Sequence, residues 1–301
     1  MRWRGSRFTW RCRLMAHAPL EVLVLRDNNT AREGLREGHG LAMHIHTNAG
    51  QVIFDTGDSA ETWANADALG ADLRDVVAVV LSHGHYDHTN GLPELLRRIG
   101  GGMVIGHPGI FDRHMADRGG ALQYIGMPGS REELEALGAF FRLSAEPLTV
   151  APGLITTGEV PRVSDLVPQT PHLLVEREGE LRVDDFVDDL SLIARLGPGD
   201  VLLTGCAHAG LLNIVARVTE ITGRCPIAIA GGTHLANEPE ERIERVANEL
   251  HERGVRQIVP MHCSGERGAE LLAKHFPGET LRAGTGSAIV VEDETGAVSV
   301  R

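Results

Sequence analysis

The chain has 301 residues, 42% of them hydrophobic and 23% charged, a composition that excludes a disordered or fibrous protein and fits a soluble globular one. A formal net charge of −12 argues against a general nucleic-acid binder, because phosphate backbones demand a basic surface. No apolar run approaches the ~20 residues that span a bilayer, so no membrane partner is expected. The cysteines Cys12, Cys206, Cys225 and Cys263 show neither a disulfide framework nor a zinc-ribbon spacing, which favours a reducing, cytoplasmic home.

Residues 1–20 differ from the rest. They carry Arg2, Arg4, Arg7, Arg11 and Arg13, no acid, and two of the three tryptophans. They lack the apolar core of a secretory signal. The segment reads as a non-native basic leader ahead of a start at Met15, or as a transit peptide, and is expected to be poorly ordered. A single folded domain is expected over residues 21–301.

Glu21–Leu25 reads as a strand. Residues 40–46 and 51–55 read as a hairpin turning through Asn48, Ala49 and Gly50. His44 and His46 alternate on its first strand and are expected to be exposed. Asp55 ends the second strand, where a carboxylate can take a ligand histidine's spare N–H, or can simply cap its own turn. Residues 61–75 read as a helix, and the β-branched run from Val76 to Leu81 as a buried strand.

That strand delivers the stretch around which the chain is organised, Ser82-His83-Gly84-His85-Tyr86-Asp87-His88-Thr89-Asn90-Gly91, with a proline-started helix behind it. In extended backbone, side chains two apart share a face, so His83 and His85 can close on one cation. Asp87 and His88 lie past the bend and can face a second. Imidazole with a carboxylate suits zinc, iron, manganese or cobalt. A run of solvated surface histidines would account for one or two of these residues, but not for their packing at the end of a core strand.

After the strand Met103–Ile105, an excursion at about 107–165 mixes Met115, Tyr124, Met127 and Phe140-Phe141 with Gly, Pro and charged residues. It reads as a lid-like insertion over a small-molecule pocket, with a capping box at Ser130 opening a short helix. His107 and His114 are expected to be structural or exposed. Gly158 can bring backbone amides near an anion, and Arg162 can pair with it. The acid-rich stretch 184–189 precedes another strand and reads first as a solvated turn. Three further strands then end in small residues followed by His208, His234 and His262. His208 and His262 read as metal contacts, and His234 as either a ligand or a substrate contact.

His-x-His-x-Asp-His after a hydrophobic strand resembles the signature of the metallo-β-lactamase superfamily. The resemblance implies an αββα four-layer sandwich with a metal centre, often dinuclear, at one edge. Asp27-Asn28, Gly38-His39-Gly40-Leu41, Phe54-Asp55-Thr56-Gly57, Thr157 to Arg162, Gly205-Cys206-Ala207-His208, Gly231 to Leu235 and Pro260 to Gly265 narrow the likeness. They are similar to the branch named for 7,8-dihydropterin-6-yl-methyl-4-(β-D-ribofuranosyl)aminobenzene 5′-phosphate synthase, over about residues 21–292. The resemblance also puts Asp185 or Asp189 where many relatives place a ligand. Cys206 stands where superfamily hydrolases commonly carry a metal-bridging aspartate, and a thiolate there favours softer metals or a weakened second site.

The reading that follows is one or two divalent ions, zinc before iron or manganese. His83, His85 and His208 hold one, and Asp87, His88 and His262 the other. Asp87 doubles as acid or base. Asp55, Cys206, His234, Arg162 and Cys263 stand as substrate contacts or supports, the two thiols equally as ligands or inert core. Three functions are open: a metal-dependent hydrolase of a small phosphorylated or pterin-like molecule, a transferase joining a pterin pyrophosphate to an aminobenzene-ribose phosphate, and a non-catalytic metal- or ligand-binding protein.

Overall fold

The computed structural model describes residues 20–47, 50–292 and 294–301. The basic leader expected at 1–20 lies outside the described residues except for Leu20, as do Cys12 and the turn residues Asn48 and Ala49.

Period-two alternation of apolar side chains builds two sheets that each bury both faces. The first has eight strands, in the order Val298–Val300, Ala288–Val291, Leu20–Arg26, Ala42–Thr47, Gly50–Phe54, Val76–Val80, Gly102–Gly106 and Ala139–Leu143. The second has six, in the order Gln257–Met261, Ala228–Gly232, Asp200–Thr204, Ser191–Arg195, Leu154–Thr156 and Thr149–Ala151. Val22, Val24, Phe54 and Val80 of the first sheet meet Leu192, Leu203, Ala230 and Val259 of the second in one shared core. Burying each of these valine, leucine and phenylalanine side chains is worth about 1.5–3 kcal/mol.

The intervening residues face outward onto helices. Val79 and Leu81 pack with Trp63, Leu92, Leu95 and Leu96, from the helices Glu61–Leu69 and Leu92–Ile99. Leu202 and Ile229 pack under the helices Leu211–Thr222, Glu240–Glu252 and Gly265–His275. In Glu240–Glu252 the buried Ile243, Val246, Ala247 and Leu250 repeat at the spacing of one helical face. Helix, sheet, sheet, helix is the four-layer sandwich expected. The first helix stops at Leu69, short of 75, because Gly70 takes the left-handed conformation (φ 68°) that terminates helices.

The stretch at about 107–165 divides in three. Ala139–Leu143 adds a parallel edge strand to the first sheet, and Thr149–Thr156 a hairpin to the second. Only Arg113–Tyr124 leaves the sandwich, pairing with Leu173–Val183 in a separate four-stranded sheet. Ser130 opens the helix Arg131–Ala136 with the capping box expected of it. His44 is fully buried rather than exposed, since its Nε2 meets Gln51 Oε1 at 2.8 Å and its ring packs on His46. Among the described residues no helix is long and apolar enough to cross a membrane.

Candidate metal centre

Strand ends from both sheets meet at one rim. Val76–Val80 leads into the His83–His88 loop, Asp200–Thr204 into Cys206 and His208, Ala228–Gly232 into His234, and Gln257–Met261 into His262 and Cys263. Leu190 N–H donates to Ser82 O at 2.9 Å, tying the sheets together under the rim. Gly205 must lack a side chain, because a Cβ would fall 2.1 Å from Ser82 Oγ.

Six non-glycine residues among those described have left-handed backbone, and five stand here: Asp55, Phe186, Ala207, His234 and His262. Each such residue costs about 1–3 kcal/mol, and strain of this kind gathers where side chains must be aimed.

His83, His85 and His208 each bring one ring nitrogen within 4.8 Å of the other two. His83 Nε2, His85 Nε2 and both nitrogens of His208 are buried with no hydrogen-bond partner. Ser82 Oγ donates to Asp55 Oδ2 (2.8 Å) and so accepts from His83 Nδ1 (2.9 Å), which turns the lone pair of His83 Nε2 toward its neighbours. The His208 ring stacks on Phe186, centroids 3.9 Å apart and 2° from parallel. Burial, with the crowding of other imidazoles, holds His83 and His208 well below the ordinary histidine pKa and takes His85 to about 3. These rings stay neutral, as a cation requires of its ligands.

A second set lies alongside. His88 Nε2 is 3.2 Å from His262 Nε2, and Asp87 Oδ2 is 3.7 Å from the first and 3.3 Å from the second. His88 Nδ1–H donates to Asp55 Oδ2 at 2.6 Å and His262 Nδ1–H to Asn28 Oδ1 at 2.8 Å, so both Nε2 atoms present lone pairs to each other and to a carboxylate. Three acceptors facing inward repel unless something positive sits among them. Without a metal, a proton serves: burial pulls His262 down, but Asp87 and Cys263 beside it push it up to about 9. Burial raises Asp87, yet His88 and His262 outweigh it and hold the carboxyl well below its usual range. Unpartnered imidazoles in the first set and opposed acceptors in the second both fit divalent cations.

The structure brings His83, His85, Asp87, His88, His208 and His262 together, with Asp55 behind them. Cys206 Sγ is 3.2 Å from His88 Nε2, and His234 and Cys263 line the same cleft, of about 330 Å³. Arg162 points elsewhere, its guanidinium taken up by the carbonyls of Val160, Asp185 and Phe186. Asp185 is at the surface, paired with Arg177 at 2.6 Å. Asp189 is buried and accepts Ala209 N–H at 2.8 Å, supporting the His208 loop without joining either donor set. Its burial pushes it up to about 7.

Four contributors were given no role at the site by the sequence. Asp188 Oδ2 accepts Gly84 N–H at 2.8 Å and lies 3.5 Å from His114, whose Nδ1 meets Asp184 at 2.7 Å. Burial opposes the charge on His114, but the two aspartates push it up to about 10. His39 Nε2 reaches Asp87 Oδ2 at 3.3 Å from a largely exposed ring. The glycines flanking His39 and the acid run around Asp184 and Asp188 were the local signals for three of these, while His114, expected to be structural or exposed, is buried among two of them.

Two buried donor sets on the rim of an αββα sandwich are the layout of a metallo-β-lactamase-fold protein with a candidate metal centre, and a family model agrees on the fold. Residues 35–214 match the metallo-beta-lactamase superfamily, and the chain belongs to it. Among its relatives, it is 27% identical over 266 residues to the 7,8-dihydropterin-6-methyl-4-(beta-D-ribofuranosyl)-aminobenzene-5'-phosphate synthase of Methanocaldococcus jannaschii, covering 83% of this chain and 89% of that one. An uncharacterized protein of the same organism is 29% identical over 251 residues, covering 82% of this chain and 90% of the other. Among solved structures, Tm1679, described as a metal-dependent hydrolase of the beta-lactamase superfamily, is 30% identical with a TM-score of 0.77, covering 89% of this chain and 98% of that one. Zinc-bound PqqB from Methylobacterium extorquens shares the fold at a TM-score of 0.54 and 12% identity, with 89% and 99% covered.

Proposed function

We propose that this protein is a metal-dependent enzyme of the hydrolase type, acting on a small phosphorylated or pterin-like molecule. The observation that carries the reading is the buried group His83, His85 and His208 beside the close approach of His88, His262 and Asp87, at a cleft that His85, Asp87, His208 and His262 line. His83, His85 and His208 would hold one divalent ion and Asp87, His88 and His262 the other, zinc before iron or manganese, since imidazole with one carboxylate suits all three. Such ions bring a bound water's pKa to ~7 and polarise a phosphoryl or carbonyl oxygen.

The chain's own residues supply the rest. Asp55 fixes the tautomer of His88, and Asn28 that of His262. Asp87, kept ionised, would turn Oδ2 to the second ion, and His39, 3.3 Å from that oxygen and open to solvent, is the group placed to exchange a proton between the cleft and water. Arg118 and His172 line the outer cleft and offer charge and hydrogen bonds to an anionic group.

A transferase reading is favoured by one observation, the synthase name borne by a relative covering 83% of this chain. Metal analysis of the purified protein with a phosphoesterase and lactonase panel tests the first reading, which expects turnover lost on chelation and in His85→Ala. Release of pyrophosphate only when a pterin pyrophosphate and an aminobenzene-ribose phosphate are both supplied would favour the second. Metal-replete protein inert in both assays, with His85→Ala changing only ligand affinity, would leave a binding protein.

A further inference from the structure

The two donor sets above leave His234 and Cys263 without a part, and Cys206, which lies within 4.8 Å of donor atoms of His83 and His88, joins those sets to them. The three arrive on the ends of three neighbouring strands of the second sheet, and one donor atom from each lies within 4.8 Å of the other two. His234 Nδ1 is buried and has no hydrogen-bond partner. The residue holds a left-handed backbone (φ 52°), and its N–H donates to Cys263 Sγ at 3.2 Å. Gly232 makes the approach feasible, since a Cβ there would stand 2.7 Å from Cys263 Sγ and 3.2 Å from Cys206 Cα. All three residues line the cleft.

We propose that Cys206, Cys263 and His234 form a thiolate-rich cation site of their own, taking one thiophilic divalent ion of the zinc, cobalt or cadmium class. Two thiolates balance the charge of such an ion, and the imidazole supplies a third donor. Bonds of about 2.3 Å to sulfur and about 2.0 Å to nitrogen place tetrahedral donors roughly 3.5–3.8 Å apart, so the trio need close by only about 1 Å. A fourth donor, water or a ligand atom, would come from the cleft that all three line. Soft sulfur donors separate this site from the imidazole and carboxylate sets, which accept harder ions. The sites adjoin at Cys206, so an ion here also raises the positive potential beside His88.

Cobalt(II) titration of the full-length protein tests the assignment through thiolate-to-cobalt charge-transfer absorption. Wild-type protein should show the intensity of two thiolates, Cys206→Ser and Cys263→Ser each about half, the double variant none, and Cys225→Ser no change. Cys263→Ser should also lose one equivalent of bound metal and keep the rest. An undiminished signal in Cys263→Ser, or none in the wild type, overturns the site. A second measurement avoids variants. In wild-type protein saturated with cadmium, alkylation of Cys263 mapped by mass spectrometry should slow at least tenfold, while Cys225 reacts unchanged. Equal rates at Cys263 with and without cadmium would refute the proposal.

Discussion

Asp55→Asn probes the support beneath the metal centre with the least collateral change. Asp55 is fully buried and accepts three hydrogen bonds, from His88 Nδ1 at 2.6 Å, Ser82 N at 2.7 Å and Ser82 Oγ at 2.8 Å. Asparagine has the same shape and, like aspartate, tolerates the left-handed backbone (φ 59°) found here. Its one oxygen can stay on the Ser82 N–H, but its amide then faces His88 Nδ1, donor against donor. Relief requires the other tautomer, which places a proton on His88 Nε2, where Asp87 and His262 converge. Loss of such an orienting partner costs 10–100-fold in metal affinity, on the order of 1.4–2.7 kcal/mol. Weakened bonds to the former carboxylate cost the metal-free fold about 1–3 kcal/mol as well. Chelator competition reads the first quantity and urea unfolding of the metal-free protein the second. Metal affinity within about threefold of wild type would refute the assignment of Asp55 as the group that orients His88.

The metal-free protein should be most stable near pH 6.5. Below that, the depressed His83, His85 and His208 resist a proton that the unfolded chain accepts, and stability falls with pH toward about 3 for His85, though Asp27 and Asp189, raised by burial, offset part of the loss. Above it, His262, His114 and His234 keep protons that the unfolded chain releases, so stability falls again as pH rises toward about 9 for His262 and about 10 for His114, though Cys263, held well below the usual thiol range, offsets part of the loss. Urea midpoints across pH, measured in chelator, check this; a monotonic profile contradicts it. Asp185→Ala, which breaks a surface pair, should cost under about 1 kcal/mol and leave metal content unchanged. Asp188→Asn should cost about 1–3 kcal/mol in thermal or urea unfolding, because Gly84 and His114 both rely on that carboxylate. Arg118→Ala should raise KM for an anionic substrate about tenfold with a smaller change in kcat, the loss of one charge-assisted hydrogen bond; an unchanged KM in steady-state assays would remove Arg118 from substrate binding.

The sandwich was legible because alternation along Val76–Leu81 and Asp200–Thr204, and helical spacing along Glu240–Glu252, write the buried faces directly into the chain. The His83–His88 loop was legible for the same reason, its donors sharing one strand end. His208 and His262 could be suspected only from their repeated position after strands, since convergence across 174 residues to a contact of 3.2 Å is a property of the fold. The acid run shows where local reading fails. Within it the side chains of neighbours diverge, so Asp185 meets solvent and Arg177 while Asp184 and Asp188 turn inward to His114. Nothing in the run itself says which are which. His44 misled in the opposite sense: its partner Gln51 lies across the hairpin, and burial of the pair depends on the sheet's neighbours.

Whether cations gather at this rim can be measured most directly by element-resolved metal analysis of purified wild-type protein beside His208→Ala and His262→Ala. Wild-type protein should hold tightly bound divalent metal that survives dialysis, with each variant losing part of it from a different donor set. Wild-type protein that retains no transition metal after exposure to zinc, iron or manganese, or variants that bind as much as wild type, would contradict the convergence of these histidines on a metal.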